Sequence, residues 1–463
     1  MAPIPKNRYG SFAMKSGNNS ETTLWHPFTY SKDIESVPPI VIDRGSGMYV
    51  FDRDGKAYLD AIGSWWVSIL GHNHPEITAA VKAQLDRLEH VIMAGFITEP
   101  ALRLPRLLGT ILPPALTRVF YSDDGSTAVE AALKMAIQYW ALKGEKRNRF
   151  VSFSGAYHGD TLGAMSVGAI PTYHSLFHER FATQLFTDPP YCYRCPVGKE
   201  KTTCGAECMD SLEAIMANEG ERVAACIFEP MVQGAAGMRV YPSKVLRRVF
   251  EICRRYNVLT IADEVAMGFG RTGTMFACNH AEVVPDMMCL AKGLTGGYLP
   301  LAVTVVTDNI YREFTGAFPS ERIFHHGHTF TGSPLGAAAA CAALNVLIRD
   351  SLPDGVSDTM RHFREQLQRF DDIEITGDIR SIGMVGAVEL VADRVTKSPL
   401  DANRRIAFRI ARRAVEKGLL IRPLGDVLYF IPAFLITREQ IDWMYETAIC
   451  SIREVLDEEA RGS

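Results

Sequence analysis

The sequence carries no excess of basic charge: its formal net charge is -4, which argues against a nucleic-acid backbone as a partner. It lacks any uninterrupted apolar run of about 18 residues, so no membrane-spanning helix is expected. The opening stretch, MAPIPKNRYGSFAMKSGNNSETT, has no apolar core of a secretory signal, and the cytosol is the expected compartment. The dense cysteine framework of a small secreted domain is missing too. Ten cysteines are scattered through 463 residues, the pattern of reduced thiols rather than structural disulfides. There is no internal repeat and no low-complexity tract.

What remains is an ordinary folded, soluble composition, 47% hydrophobic and 22% charged, on a chain long enough for a large domain with a smaller companion. Residues 1–22 are rich in Gly, Asn and Ser and are expected to be a mobile leader. From Leu24 to Leu59 short alternating runs surround Arg53-Asp54-Gly55-Lys56, which is placed as a hairpin turn. Over 75–350, helix-period segments alternate with short apolar runs such as RVFYS, RFVSFS, AACIFEP, LTIADEV and LAVTVV. Buried parallel strands separated by helices read this way, so an α/β layer structure is expected. Residues 351–463 read as an α+β tail, and 1–74 as the N-terminal part of the smaller domain.

The chemistry sits in IADEVAMGFGRTG at 261–273 and CLAKGLTGGYLPLA at 289–302, each of which puts a charge at the end of an apolar run. In an open α/β sheet that end lies in the ligand crevice, so Asp263 and Lys292 are expected to face one site from neighbouring strands. A lysine so placed is partly desolvated, which lowers its pKa and suits it to condense with an aldehyde. A carboxylate held against a pyridine nitrogen keeps that nitrogen protonated, and the ring then accepts electrons when a substrate's Cα proton leaves. For either residue alone, a hydrogen-bonded strand cap is the plainer reading. The glycines of GFGRTG and KGLTGG, which permit close backbone approach beside both charges, favour a site.

Asp124-Gly125-Ser126 lies between an apolar strand and the helix TAVEAALKMAIQYW, where backbone N–H groups and the Ser126 hydroxyl suit an anion such as a phosphate. Simple N-capping is the alternative. Tyr157, among the glycines of SGAYHGDTLGAMS, suits stacking on a flat ring or, equally, a place in the core.

With DGS, GAYHGDT, FEPMVQG, ADEVAMGFGRTG, AKGLTGG and HTFTGSPL in this order, the chain from about Leu24 to its final helices resembles the class III aminotransferases. These are fold type I enzymes dependent on pyridoxal 5'-phosphate. The resemblance implies a large domain with a mostly parallel mixed sheet, and a smaller α+β domain built from both termini. It implies that Gly125 and Ser126 hold the phosphate, that Tyr157 stacks on the ring, and that Asp263 and Lys292 keep the roles above. Thr329, beside His328, would reach the phosphate of a partner copy, making the active unit a homodimer.

Within the class, LWHPFTY (24–30), GSWWVSILGHNHP (63–75), HGHTFTGSPL (326–335) and IRPLGDVLYFIP (421–432) bring the chain nearest to particular members. Those members aminate 8-amino-7-oxononanoate to 7,8-diaminononanoate in biotin formation, with S-adenosylmethionine or lysine as donor. By that likeness Trp65 and Trp66 line the substrate pocket, Arg422 takes the substrate carboxylate, and Phe28, Arg271, Gly327 and Tyr429 lie nearby. Neighbouring residues on a strand face opposite sides, so at least one of the two tryptophans is expected in the core. The chain departs from the pattern at Phe28, where many members have Tyr, and at His328, where others have Pro. The rival readings are a class III transaminase of ω-amino acids or diamines, a glutamate-semialdehyde aminomutase, and a cofactor-binding scaffold without catalysis.

One cluster stands apart. Cys192, Cys195, Cys204 and Cys208 form a C-x2-C and a C-x3-C within YCYRCPVGKEKTTCGAECMD, a spacing that permits a tetrahedral zinc site. Free thiols on an insertion loop are the favoured reading, because aminotransferase chemistry needs no metal.

Overall fold

Turn chemistry sets the first unit of the chain. Asp52 Oδ1 accepts from the N–H groups of Asp54 (3.0 Å) and Lys56 (2.9 Å), and Gly55 takes a φ of 84°. That closes the expected hairpin between β2 (Tyr49–Asp52) and β3 (Ala57–Asp60), with β1 (Ile42–Ser46) antiparallel to β2 on the other side. The computed structural model describes residues 24–178 and 184–462. The leader expected over 1–22 lies outside the described residues.

The apolar runs become a seven-stranded sheet. Its strands are β4 (Leu116–Ser122), β5 (Arg149–Phe153), β6 (Leu185–Thr187), β7 (Val223–Phe228) and, after a short ribbon of β8 (Val232–Gln233) and β9 (Arg239–Val240), β10 (Leu259–Asp263), β11 (Met287–Leu290) and β12 (Ala302–Thr307). The order is β4-β12-β11-β10-β7-β5-β6. Only β12 runs against its neighbours β11 and β4, so the sheet is mixed but mostly parallel. Every residue of β7, β10 and β11 is buried, which is why these strands read as continuous apolar runs rather than as alternation.

Helices cover both faces. Ser243–Arg255 buries Val245, Leu246, Val249, Phe250, Ile252 and Cys253 and turns its arginines outward. Pro334–Arg349 starts on Ser333, whose side chain accepts from Gly336 N, and its alanines let it pack closely on the helices Pro75–Leu85 and Glu99–Leu108. Among the described residues no single helix is long and apolar enough to cross a membrane.

The chain then makes β13 (Thr376–Ile382), β14 (Val385–Leu390), β15 (Leu419–Leu420) and β16 (Val427–Phe430). β13, β14 and β16 form an antiparallel sheet, while β15 joins β3 in parallel, so strands from the two ends of the chain share one sheet.

Candidate active site

Five parallel strands deliver their carboxyl ends to one place. Asp123 to Ser126 follow β4, Tyr157 and His158 follow β5, Glu229 follows β7, Asp263 ends β10, and Lys292 follows β11. Residues from all five line a cavity of about 430 Å³, a volume in the range of small-molecule sites. The juxtaposition of Asp263 and Lys292 expected from their strand ends is therefore present.

Asp263 is fixed from two sides. His158 Nδ1 stands 2.7 Å from Asp263 Oδ2, and Asp263 Oδ1 accepts from Val265 N at 3.1 Å. An ionised carboxylate only accepts, so the imidazole Nδ1–H donates here, and the other ring nitrogen lies 3.4 Å from Ser152 Oγ. Lys292 has a φ of 43°, a strained left-handed conformation that turns its amine into the cavity, with Nζ 4.6 Å from the centre of the Trp66 ring. Burial pushes the Lys292 amine below its ordinary value, and the charges of Asp263 and Glu229 partly oppose the shift.

The opposite wall is a cradle for an anion. Asp124 caps the helix Gly125–Leu142, accepting from Thr127 N at 2.9 Å, while Asp124 N donates to the Thr127 hydroxyl. The capping alternative thus holds for Asp124, and Ser126 is left at the cavity wall. Gly159, at a φ of 121°, lies so close to Ser126 that a Cβ would sit 2.1 Å from Ser126 Oγ, and a Cβ on Gly125 would sit 2.7 Å from Val265. Glycine at both positions leaves backbone and hydroxyl donors open beside a helix N-terminus. Tyr157 shares this wall, with its hydroxyl donating to Asp160 Oδ2 at 2.8 Å.

One tryptophan of the pair is buried as expected, for a different reason, while Trp65, expected beside it at the substrate pocket, does not line this cavity. Trp66 is buried and lines the cavity, whereas Trp65 is 39% exposed. They do not lie on a strand: Ser64, Trp65 and Trp66 all have positive φ in an irregular turn, and that turn separates their directions. Around Trp65 a second cluster forms. Phe28 packs edge-on against Trp65 (5.6 Å) and Tyr173 (5.3 Å), Tyr173 meets Tyr157 (6.3 Å), and the Arg422 guanidinium lies 5.6 Å from the Trp65 ring. Arg422 donates to the Phe28 carbonyl at 2.6 Å, and both residues line a neighbouring cavity of about 610 Å³.

Two expected substrate contacts are corrected. Arg271 is completely buried, and its guanidinium donates to the carbonyls of Trp66 (3.3 Å), Ser68 (3.0 Å), Ile431 (3.5 Å) and Pro432 (2.6 Å). It ties the tryptophan turn to the segment after β16 and does not reach the cavity. Arg271→Met leaves those carbonyls without a donor and is expected to cost about 3 kcal/mol of stability or more. Thermal denaturation reads this as a lower midpoint; a variant that melts with the parent and changes only KM returns Arg271 to the substrate. Tyr429 is likewise buried and meets the cavity only through Trp66, edge-on at 6.1 Å. Of the HGHT segment, His328 Nδ1 lies 2.8 Å from Asp123 Oδ2, while Gly327 and Thr329 are exposed and do not line this chain's own cavity.

Sequence reasoning missed Glu229 and His158, although both lie in quoted motifs. The buried Glu229 carboxylate accepts from Tyr157 N (3.1 Å) and Gly234 N (2.7 Å). Burial, opposed by His158 and aided by Asp263, pushes it up from 4.5 to about 7. Between those values the folded chain keeps a proton that the unfolded chain has lost, so stability falls as pH rises through that window. Glu264, buried and also pushed up to about 7, adds to the same slope. Glu229→Gln removes its share, and the cofactor-free variant is expected to lose up to roughly 3 kcal/mol less than the parent on going from acid to neutral pH. Denaturant midpoints across that range decide it; parallel slopes sink the assignment.

The aminotransferase class-III family matches residues 29–451. A protein of Geobacter sulfurreducens named adenosylmethionine-8-amino-7-oxononanoate aminotransferase is 45% identical over 434 residues, covering 93% of this chain and 96% of its own. The crystal structure of the Methanocaldococcus jannaschii protein of the same name superposes with a TM-score of 0.89 at 38% identity, over 93% of this chain and 97% of that one. An amine transaminase from an uncultivated Pseudomonas species, solved with its pyridoxal phosphate bound, gives a TM-score of 0.90 at 35% identity, over 95% and 100%.

Proposed function

From the premise that the chain belongs to the class III aminotransferases, we propose that it transfers an amino group to 8-amino-7-oxononanoate, giving 7,8-diaminononanoate for biotin formation. It is a transaminase of fold type I, and pyridoxal 5'-phosphate is its cofactor. The observation that carries the reading is the convergence of Lys292, Asp263, Tyr157 and the Gly125–Ser126 cradle on one cavity.

The residues present fit that cofactor. Gly125, Ser126 and the helix N-terminus would hold its phosphate, Asp263 its ring nitrogen, and Lys292 its aldehyde carbon, with Tyr157 against the ring. Bound there, the cofactor supplies a carrier for the amino group and an electron sink for the Cα–H bond that breaks. Lys292 Nζ takes the Cα proton and returns it, and its depressed pKa gives it the neutral form needed to accept one. Asp263 keeps a negative charge in place, and His158 fixes the direction of that carboxylate. Trp66 stands on the cavity wall with its ring 4.6 Å from Lys292 Nζ.

For the substrate, the names of the relatives and the tryptophan turn support the biotin reading. Phe28, Trp65 and Tyr173 offer an apolar path for a long methylene chain, and Arg422 beside them offers a bidentate partner for its carboxylate. The active unit is a homodimer in the cytosol, with Thr329 of one copy completing the partner's phosphate site and Gly327 near the substrate. Holoenzyme incubated with 8-amino-7-oxononanoate and either S-adenosylmethionine or lysine is expected to yield 7,8-diaminononanoate by chromatography, and the productive donor is thereby named. Faster amination of simple aldehydes, with no diamino product, transfers the reading to the ω-amino acid transaminases.

A further inference from the structure

The loop from Arg322 to Thr331 belongs to no helix or strand, yet it is fastened along one side. Burial alternates through it: Phe324, His326 and His328 are half-buried, while Ile323, His325, Gly327 and Thr329 are exposed. On the fastened side Phe324 and His326 pack on Phe120 of β4, at 5.3 and 5.9 Å. Lys134 Nζ stands 3.0 Å from His326 Nδ1, and Gln138 Nε2 donates to the Ile323 carbonyl at 2.8 Å. Lys134 and Gln138 both lie on the helix Gly125–Leu142, whose N-terminus is the anion cradle. The helix that cradles an anion for its own chain thus also carries the loop.

The last tie is His328. Its ring lies 5.3 Å from that of His326, its backbone N–H donates to the Thr331 hydroxyl at 2.8 Å, and its Nδ1 stands 2.8 Å from Asp123 Oδ2. An ionised carboxylate only accepts, so the imidazole N–H donates, in a bond strengthened by the charge. Asp123 lines the cavity and immediately precedes the turn that holds Gly125 and Ser126. A proline at 328, the residue of other members, has neither of these two donors. Next to His328, on the opposite side of the loop, Thr329 faces outward.

We propose, resting on the homodimer reading given above, that His328 is a positioning residue for the cofactor of the other copy: anchored on Asp123 of its own cradle, it holds Thr329 where the neighbour's phosphate is bound. Each cradle then serves two sites, its own directly and its neighbour's through the Asp123–His328 bond. The face around the loop suits a second copy. Ile323 and Phe330 are exposed apolar residues, as are Ile92, Phe96 and Ile97, and the Phe330 ring reaches that second stretch at His90, 5.1 Å away.

The test uses full-length dimers stripped of cofactor and titrated with pyridoxal 5'-phosphate, read by the visible absorbance of the lysine-bound form. The pure His328→Ala dimer is expected to half-saturate at about fivefold more cofactor than the parent. Mixed dimers of one His328→Ala chain and one Lys292→Ala chain are then isolated through two different tags. Only the His328→Ala chain in them can bind the cofactor covalently, and its Thr329 contact comes from a copy whose His328 is intact. That site is expected to half-saturate as the parent does, a restoration that a role confined to the folding of its own chain does not give. A mixed dimer that binds as weakly as the pure His328→Ala dimer places the action within one chain and overturns the inference. So does a pure His328→Ala dimer that binds as the parent does. The same mixing with Thr329→Ala separates this from the reading beneath it. Restoration for Thr329 without restoration for His328 sinks only the tie; failure of both, or a chain that sediments as a monomer, removes the homodimer reading as well.

Discussion

Lys292→Ala lowers turnover by at least about 10⁴-fold and leaves a chain that cannot hold its cofactor covalently. The reason is positional. Lys292 follows the carboxyl end of β11, its backbone is held at a φ of 43°, and its Nζ sits in the cavity against Trp66. Desolvation keeps the amine below its ordinary pKa, which favours the neutral nitrogen that the proposed proton transfer needs. Alanine supplies neither the bond to the cofactor nor the base. Lys292→Arg fails as well, because guanidinium keeps its proton at any working pH. Both variants are expected to fold, since the amine is tied to its surroundings by little beyond one aromatic contact. Steady-state rates together with reduction of the protein by borohydride check the claim: no label fixed to the variant, and full labelling of the parent.

Asp263→Asn is the second large effect. The substitution keeps the shape and the acceptor for Val265 N but removes the charge that the proposed function sets against the cofactor's ring nitrogen. The arrangement behind it is also disturbed, because the amide nitrogen would meet His158 Nδ1 donor to donor until the imidazole changes tautomer. A fall of about 10³-fold in kcat with KM little changed is expected, the signature of a charge used in the transition state. A loss confined to within roughly tenfold, or one carried by KM, contradicts the role.

The sequence discloses chain position better than side-chain direction. The buried strands were legible because β7, β10 and β11 are covered on both faces and must be apolar throughout. The hairpin at Gly55 was legible because its turn chemistry is local. Asp263 and Lys292 were legible since a strand end in an open sheet points in one direction only. Arg271 shows where this stops. The GFGRTG motif places it a short distance from Asp263, but its side chain turns to carbonyls at Ile431 and Pro432, which adjacency in sequence does not reveal. His158 was passed over for the same reason, since its partner Asp263 lies on another strand. Glu229 stood in a quoted motif, and its raised pKa arises from burial that only the assembled sheet creates. At Trp66 the burial was foreseen and its cause was not. A strand was assumed where the backbone makes a left-handed turn.

The absorbance spectrum of the purified protein, titrated with S-adenosylmethionine, then lysine, then 8-amino-7-oxononanoate, bears on the central claim most directly. The lysine-bound cofactor absorbs in the visible, and a true donor bleaches it by leaving its amino group behind. Bleaching by one of the two donors, followed by recovery of colour when the oxo acid is added, is the predicted result and establishes both half-reactions. Bleaching that the oxo acid never reverses contradicts the biotin assignment, and a protein with no visible absorbance contradicts the cofactor itself.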